Sequence, residues 1–456
     1  MSTFSLLFIA VLGVAVLLFL VIVLRLQAFI ALLLASLFVA LIGRIPLGEI
    51  PDVIQQGMGS TLGFIAIVVG LGTMFGEMLR VSGGAEQLAQ TLVKKFGEDN
   101  AQWALGLTGF LVAIPVFFDV GLIILIPLVY GLAQRTGRSL LYYAIPLAAG
   151  LAVTHSFIPP TPGPVAVASL LNADLGWVIL FGAIAGLPAM ILGGIFFGKY
   201  IGGQIKADVP DYMLVEANEQ EEFKAKEEEA LKNPPGFGLV VSIIAVPLVL
   251  ILMNTISGVL LPEGNFVRNL LAFLGHPFVA LTLAALLSFY FLGTRRGYTQ
   301  NEVQRIATKS LEPVGLIILV TGAGGVFGRV LVASGVGEAL AKAMATLQLP
   351  VILLAFLIAA AVRISQGSAT VSMVTAAGLM APVIEAGNYS APMAGLMTIA
   401  IASGATVLSH VNDSGFWLVS RYLGLSEKQT LQSWTVMETI IGVVGFAVVF
   451  VLSFFF

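Results

Sequence analysis

The stretch GTMFGEMLRVSGGAEQLA, residues 72–89, returns as GGVFGRVLVASGVGEALA, residues 324–341, with nine of the eighteen positions identical. Downstream of each copy, a polar, histidine-containing run interrupts an apolar segment: HSFIPPTPGP at 155–164 and HVNDSG at 410–415. An apolar membrane helix should not continue through such runs, because prolines remove backbone donors and polar groups are costly in hydrocarbon. A duplicated hydrophobic unit with one polar break in each copy is typical of secondary transporters, in which the substrate lies between two broken helices.

The composition is that of an integral membrane protein. Hydrophobic residues make up 58% and charged residues 10% of the 456 residues, and the mean hydropathy is +1.01, values outside the range of soluble domains. The first apolar run, 4–24, has no basic stretch before it and no small-residue cleavage site after it, so it predicts a span rather than a signal peptide. The chain has no cysteine and no basic stripe, which argues against a cysteine-ligated metal and against nucleic-acid binding. We expect neither a metal nor a cofactor.

The hydropathy pattern predicts an all-α, polytopic membrane protein with about ten spans plus two re-entrant hairpins. The segments 101–133 and 349–386 are interrupted centrally by PVFFDVG and RISQGSAT. We interpret both as hairpins, with a single kinked span as the alternative, because irregular backbone at membrane depth must be buried in protein or line a wet cavity. Two runs that contain the polar breaks, 139–171 and 390–424, are expected to cross as discontinuous helices. Uninterrupted apolar runs lie at 4–24, 27–43, 61–80, 177–198, 237–259, 270–292, 311–332 and 432–455.

The chain divides into two repeats, 1–202 and 237–456, joined by the charged segment 203–236, which we expect to be a cytoplasmic linker. Each repeat would contribute five crossings and one hairpin, and an odd number of crossings inverts the second repeat relative to the first. With the N-terminus outside, 17 of the 22 Lys and Arg residues face the inside. This charge bias agrees with the positive-inside rule and supports the inverted arrangement.

Two charged residues lie in the hairpin interruptions. Asp119 is an intramembrane carboxylate, costly unless hydrated, paired or protonated, so it is a candidate for function; it could also cap the second half-helix. Arg363 presents a planar fork that matches a carboxylate, although it could instead neutralise Asp119 or Asp413. Hydroxyl and amide groups that could bind sugar hydroxyls lie beside it in Ser365, Gln366, Ser368 and Thr370.

The helix breaks supply the remaining candidates. Histidine as a residue type titrates near neutral pH, so His155 and His410 could relay a proton, but a membrane histidine can equally serve as a packed hydrogen bonder. The breaks also expose oxygens that suit substrate hydroxyls or a cation. These residues are Thr161 in the first break and Asn412, Asp413 and Ser414 in the second.

Other polar and aromatic residues have simpler expected roles. Glu77, Glu312 and Glu438 fall near predicted span ends, where their carboxylates can extend to water. The tryptophans are expected to anchor the chain at the membrane interface; they are Trp103, Trp177, Trp417 and Trp434.

At these residues the chain resembles the gluconate permease (Gnt) family of proton symporters, a branch of the ion transporter superfamily. The resemblance is carried by FFDVGLIILIPL (117–128), THSFIPPTPGP (154–164), SGATVLSHVNDSGFWLVSRYLGLS (403–426) and WTVMETIIG (434–442). It implies uptake of a small sugar acid such as gluconate with protons across the inner membrane of a bacterium. It also implies inverted repeats and a homodimer in which a transport domain slides against a scaffold, the elevator type of alternating access.

We therefore predict a proton-coupled permease for a small anionic sugar acid. The expected substrate-binding residues are Thr161, Arg363, Ser365, Gln366, Ser368, Thr370, Asn412 and Ser414, and the expected proton-coupling residues are Asp119, His155, His410 and Asp413. Sodium coupling and a D-serine or glycerate-type substrate are the alternatives within transport. An intramembrane enzyme is disfavoured, since the chain has no HExxH spacing and no nucleophile elbow, and the paired breaks disfavour a pure channel.

Overall fold

The computed structural model describes residues 3–210, 233–312, 314–335, 339, 350–411 and 413–456. The regular structure in these ranges is helical, as predicted, and nine helices there are long and apolar enough to cross a membrane. Most of the predicted linker 203–236 lies outside the described residues, as does Asn412.

The helices are grouped by the half of the chain that they occupy. The first half contains α1 (Thr3–Leu18), α2 (Ala28–Ile42), α3 (Ile50–Val81), α4 (Gly84–Phe96), α5 (Ala101–Val112), α6 (Phe118–Thr136), α7 (Leu140–Phe157), α8 (Pro162–Leu170) and α9 (Leu175–Gln204). The second half contains α10 (Phe237–Leu260), α11 (Phe266–Leu274), α12 (Pro277–Arg296), α13 (Gln300–Lys309), α14 (Val314–Ala333), α15 (Val351–Gln366), α16 (Ala369–Gly387), α17 (Ala391–Gly404), α18 (Ser414–Tyr422) and α19 (Glu427–Leu452).

Helix ends in the first half coincide with the proline-containing runs. The chain leaves α5 after Val112 and enters α6 at Phe118, across Pro115. It leaves α7 after Phe157, and α8 begins at Pro162. Proline is tolerated at the first position of a helix, where its missing N–H has no intrahelical partner. Further along a helix it removes a backbone hydrogen bond and clashes with the preceding turn, so proline-containing runs favour helix ends.

The interruptions in the second half use capping chemistry instead. Between α15 and α16, Gly367 has a positive φ of 84°, and the Ser368 side chain accepts a hydrogen bond from the Val371 amide at 3.4 Å. Between α17 and α18, Asp413 takes the N-cap position. Polar side chains at these positions satisfy backbone groups that the interrupted helix leaves without partners.

One predicted span is wrong. The run 270–292 is not a single helix, because α11 ends at Leu274 and α12 begins at Pro277. The ring nitrogen Nδ1 of His276 accepts from the Phe278 amide at 3.3 Å, so this histidine caps α12. A proline preceded by a side-chain cap starts a new helix, and apolarity alone does not reveal such a boundary.

The buried side chains form two principal apolar cores. One core includes residues of α1, α2, α14 and the start of α3. The larger core includes residues of α5–α9 and α15–α19, the helices that flank the interruptions. The α3 and α14 helices pack directly against each other, and a Cβ at Gly57 would lie 2.7 Å from the Val326 Cα. Small residues let these two backbones approach closely.

The glycines of the repeated stretch support the interrupted segments. A Cβ at Gly72 would lie 3.4 Å from the ring of Pro160, and a Cβ at Gly76 would overlap the Pro115 carbonyl. In the second copy, a Cβ at Gly328 would lie 3.1 Å from the Gly378 carbonyl oxygen on α16. The repeat therefore places glycine where α3 meets the irregular backbone of the first half and where α14 meets the α16 helix.

Gly76→Ala should destabilise the protein, because the new methyl group has no room beside Pro115. Overpacking of this kind costs about 1–3 kcal/mol. Gly59→Ala on the same helix is the matched control, since nothing lies within 4 Å of its Cβ position. Thermal unfolding of the detergent-solubilised protein should show a lower melting temperature for Gly76→Ala only. Equal melting temperatures for the two variants would contradict the packing described.

Candidate functional site

A buried ion pair joins two of the interruptions. Arg363, in the last turn of α15, has a side chain that is 2% exposed, and its Nη2 lies 2.6 Å from Oδ2 of Asp413. Asp413 also accepts a hydrogen bond from the Gly415 amide at 3.2 Å through Oδ1. The carboxylate thus caps α18 and holds the guanidinium of α15 at the same time.

A hydrogen-bond chain fixes Asp413 from the side of α19. The Ser409 hydroxyl donates to Asp413 Oδ2 at 2.5 Å, and Trp434 Nε1 donates to Ser409 Oγ at 2.7 Å. The Thr435 hydroxyl donates to the Ser409 backbone carbonyl. Charge-assisted bonds in a water-poor interior are stronger than surface ones, so this chain locks the carboxylate in position.

The expectation that Trp434 anchors the protein at the membrane interface is wrong. Its side chain is 3% exposed and lies in a π-helical turn, Leu431–Thr435, near the start of α19. Trp434 opens one of the stretches that carry the family resemblance, and Ser409 is adjacent in sequence to His410. Neither signal indicated that the indole N–H bonds to the hydroxyl that holds Asp413, because that contact joins residues 25 positions apart.

Several buried polar atoms near the ion pair lack partners. Among the described residues, Arg363 Nε and Nη1 have no hydrogen-bond partner, and the same holds for both side-chain atoms of Gln366 and for Nδ1 of His155. An unsatisfied buried polar atom costs about 1–3 kcal/mol. Such atoms are uncommon in native proteins, and their concentration at the helix interruptions is what a polar ligand site requires.

Asp119 and His155 lie close to the ion pair. Asp119 is in the first turn of α6 and is exposed; no side chain caps this helix, so the capping interpretation of Asp119 has no support. His155 lies in the last turn of α7, with its ring edge-on to Phe117 at 6.1 Å between ring centroids. Phe118, next to Asp119, lies 5.1 Å from Trp434 between ring centroids, and Trp434 bonds to the serine that holds Asp413. The ends of α6 and α7 that carry Asp119 and His155 therefore belong to the same cluster of helix interruptions as the ion pair.

The other predicted residues occupy the surrounding breaks. The Thr161 hydroxyl is 3% exposed and donates to the Ile158 carbonyl at 2.6 Å. A ring nitrogen of His410, Nε2, lies 3.0 Å from the Ile364 carbonyl oxygen, so this histidine braces α15 next to Arg363. Thr370 is partly buried in the first turn of α16, and Ser414 is exposed at the start of α18. The Ser365 side chain and all of Asn412 lie outside the described part of the chain.

Glu438 was expected to reach water from a span end, and this prediction is wrong. Its side chain is 4% exposed. The predicted span began at residue 432, but α19 begins at Glu427, which places Glu438 about three turns into the helix. By contrast, Glu312 is exposed, and Glu77 is half-buried in an ion pair of 2.7 Å with Arg80.

A separate cavity of about 460 Å³ opens between α3 and α14 on one side and α8 and α16 on the other. Arg329 and Glu385 line it, and it contains none of the predicted site residues. Within the described ranges, no group of three or more His, Cys, Asp or Glu side chains could hold a metal ion.

Comparison with protein families gives a match over nearly the whole sequence. The profile of the GntP family permeases matches residues 5–455. The chain belongs to the GntP permease family. The resemblance found in the sequence is thereby confirmed, and the protein is a membrane transporter rather than an enzyme.

Characterised relatives of this GntP permease align along their full lengths. The low-affinity gluconate transporter of Escherichia coli (strain K12) is 43% identical over 454 residues, covering 100% of this chain and 99% of the relative. The inner membrane permease YgbN of the same strain is 44% identical, with 98% of each chain covered. The gluconate permease of Bacillus subtilis (strain 168) is 38% identical, covering 98% of this chain and 99% of the relative. These relationships confirm the multi-pass, inner-membrane location.

Solved structures support the fold of this GntP permease. MtrF of Neisseria gonorrhoeae, described as an antimetabolite efflux pump, superposes with a TM-score of 0.64 at 14% identity, covering 92% of this chain and 93% of MtrF. The YdaH transporter of Alcanivorax borkumensis superposes with a TM-score of 0.60 at 13% identity, covering 90% of each chain. At such low identity the likeness concerns the fold alone.

Asp413→Asn should destabilise this permease, because it leaves the Arg363 guanidinium buried without its counter-ion. Removing one partner of a buried ion pair costs about 3–5 kcal/mol. Asp174→Asn is a matched control: Asp174 also caps a helix, accepting from the Gly176 and Trp177 amides, and asparagine caps helices as well as aspartate. Melting temperatures in detergent should fall by several degrees for the first variant alone. If the two variants unfold alike, the ion pair does not stabilise the protein.

Proposed function

We propose that this permease takes up a small sugar acid of the gluconate class together with protons. The observation that carries the proposal is the Arg363 guanidinium, which is buried between helix interruptions and keeps two nitrogens without partners among the described residues. The names of the relatives supply the substrate class, since several at 37–43% identity are gluconate transporters or permeases.

A substrate carboxylate would bind the nitrogens of Arg363 that lack partners among the described residues. The ion pair with Asp413 uses Nη2, which leaves Nε and Nη1 to donate to the substrate. The N–H groups of Nε and Nη1 point in different directions, so each would donate its own charge-assisted hydrogen bond. The hydroxyl groups of the sugar acid would bind the side chains around the breaks, which are Thr161, Ser365, Gln366, Ser368, Thr370, Asn412 and Ser414.

Proton coupling would use the ionisable groups of the same cluster. Asp119, His155 and Asp413 all lie at the helix interruptions. A proton bound to one of these groups would therefore change the affinity of the site for an anion. His410 is a further candidate acceptor, although its ring contact with the Ile364 carbonyl favours a bracing role. Two carboxylates near one guanidinium repel an incoming anion, and protonation relieves that repulsion.

Alternating access would follow from two inverted repeats, 1–202 and 237–456, with re-entrant hairpins at 101–133 and 349–386 and broken helices at 139–171 and 390–424. The two apolar cores support this division: α1, α2 and α14 would form a scaffold, and the helices of the larger core would form a moving unit. The cavity that separates α3 and α14 from α8 and α16 would serve as the access route from the outer side of the membrane to the substrate site. We further propose that the scaffold forms a homodimer, so that sliding is an elevator-type motion.

Uptake into proteoliposomes tests the proposal directly. Labelled gluconate should accumulate when the pH gradient is inward, and a protonophore should abolish the accumulation. Sodium at fixed pH and fixed membrane potential should have no effect, and uptake driven equally well by sodium would replace the proton assignment by sodium coupling. Counterflow against gluconate, idonate, fructuronate, glycerate and D-serine identifies the substrate.

Arg363→Lys should raise the KM for gluconate, because an ammonium paired with Asp413 cannot also place donors at the positions of Nε and Nη1. A hydrogen bond to a charged group contributes about 1.5–3 kcal/mol, which corresponds to roughly a tenfold to hundredfold weaker apparent affinity. Arg268→Lys is the control: Arg268 contacts the Leu261 carbonyl and lies 3.9 Å from Glu263 outside the cluster. An unchanged KM in Arg363→Lys would remove Arg363 from the binding site.

A further inference from the structure

Three side chains of the Asp, Glu, Lys or Arg type are buried within the described part of the chain: Arg363, Asp413 and Glu438. They occupy one region, because Asp413 pairs with Arg363 and accepts from Ser409, which bonds to Trp434, one turn before Glu438 on α19. The buried region therefore holds one cation and two carboxyl groups. Asp413 contacts the guanidinium at 2.6 Å, whereas Glu438 Oε1 has no hydrogen-bond partner among the described residues.

Glu438 is aligned with the second break by the contacts of its own helix. One residue further along α19, the Thr439 hydroxyl accepts a hydrogen bond from the Leu408 amide at 3.2 Å. One helical turn after Glu438, a Cβ at Gly442 would lie 2.5 Å from the Ser403 carbonyl oxygen. One turn earlier, Trp434 bonds to Ser409. The face of α19 that carries Glu438 therefore packs against the backbone of the interruption that holds Asp413.

Few other ionisable groups surround Glu438. The helices packed against α19 are α7, α9, α15, α17 and, at its first turns, α18. The α17 helix and the apolar part of α9, residues 175–196, contain no ionisable side chain. From α15 comes Arg363, and from α7 come His155 near the break and two tyrosines at the opposite end of the helix. From α18 come Arg421 and Tyr422 at the end of that helix. Asp119, on α6, follows Phe118, whose ring centroid lies 5.1 Å from that of Trp434.

A buried carboxylate is stable only when it is paired or protonated. If Glu438 is ionised in the substrate-free site, it is the second buried anion of this region, after Asp413. A sugar acid that arrives at the unpartnered nitrogens of Arg363 would then become a third carboxylate near one guanidinium. If Glu438 takes up a proton as the substrate binds, the substrate carboxylate replaces the charge of Glu438, and the buried net charge stays the same.

We propose that Glu438 is the carboxyl group that binds the coupled proton, exchanging its negative charge at Arg363 for that of the substrate carboxylate. The inference rests on the proposed sugar-acid and proton symport. In this step, one proton from water in the open site bonds to a carboxylate oxygen of Glu438 as the substrate binds. Release on the other side of the membrane returns both the acid and the proton to water.

Glu438→Gln tests the exchange, because glutamine has the shape of the protonated acid but cannot release a proton. In proteoliposomes this variant should catalyse gluconate counterflow, which moves no net protons, and should lose accumulation driven by a pH gradient. The apparent affinity of the unmodified protein should fall as the pH rises, by up to about tenfold per pH unit for one linked proton. In Glu438→Gln the affinity should be independent of pH over that range.

Two companion variants make the result decisive. Glu312→Gln changes an exposed carboxylate away from the cluster and should keep both coupling and the pH dependence. Glu438→Asp keeps an ionisable group and should remain coupled, at a lower rate. The inference is overturned if Glu438→Gln still accumulates gluconate with the pH gradient, if it also loses counterflow, or if the Asp and Gln variants are equally uncoupled. Absence of proton-driven uptake in the unmodified protein would instead overturn the proposed symport itself.

Discussion

The ion pair between Arg363 and Asp413 is the interaction on which the arrangement of the breaks depends. Desolvating two charges is costly, and the attraction between them compensates only when the geometry is good and the other polar atoms are satisfied. Here the Ser409 hydroxyl and the Gly415 amide supply further bonds to the carboxylate, and Trp434 fixes the serine. A single carboxylate thereby connects α15, α18 and α19. The Nε and Nη1 atoms of the guanidinium have no such bonds within the described part of the chain, so a ligand gains most at these two nitrogens.

Irregular backbone inside a membrane has to be enclosed by protein, and the glycines of the repeated stretch make that enclosure possible. Because Gly76 has no side chain, α3 can lie directly against the carbonyl of Pro115, and Gly328 lets α14 approach the backbone of α16 in the same way. The two copies therefore both use glycine at a close approach, against irregular backbone in the first half and against a helix in the second. The first half interrupts its helices at proline-containing runs, and the second caps them with Ser368 and Asp413.

Much of the site could be predicted from local sequence, and the failures have a common physical cause. Asp119, His155, Arg363 and Asp413 could be recognised because polar groups stand out in apolar segments, where they are expensive. Glu438 and Trp434 could not, since both residue types are ordinary at a membrane surface and their depth depends on where α19 begins. The predicted span 270–292 failed for a similar reason: the boundary at Pro277 is set by local capping through His276 rather than by hydrophobicity.

The sequence by itself determined that this chain is a helical membrane transporter of the GntP family with a repeated stretch at 72–89 and 324–341, because hydrophobicity, repetition and costly polar residues are properties of the linear chain. Only the tertiary structure decided which carboxylate pairs with Arg363. Among the described residues it leaves Glu438 as the other buried acid and Nε and Nη1 of the guanidinium without partners. Partner choice depends on distances between residues up to 50 positions apart in the chain. Such distances follow from how the helices pack, and a pattern along one helix does not contain them.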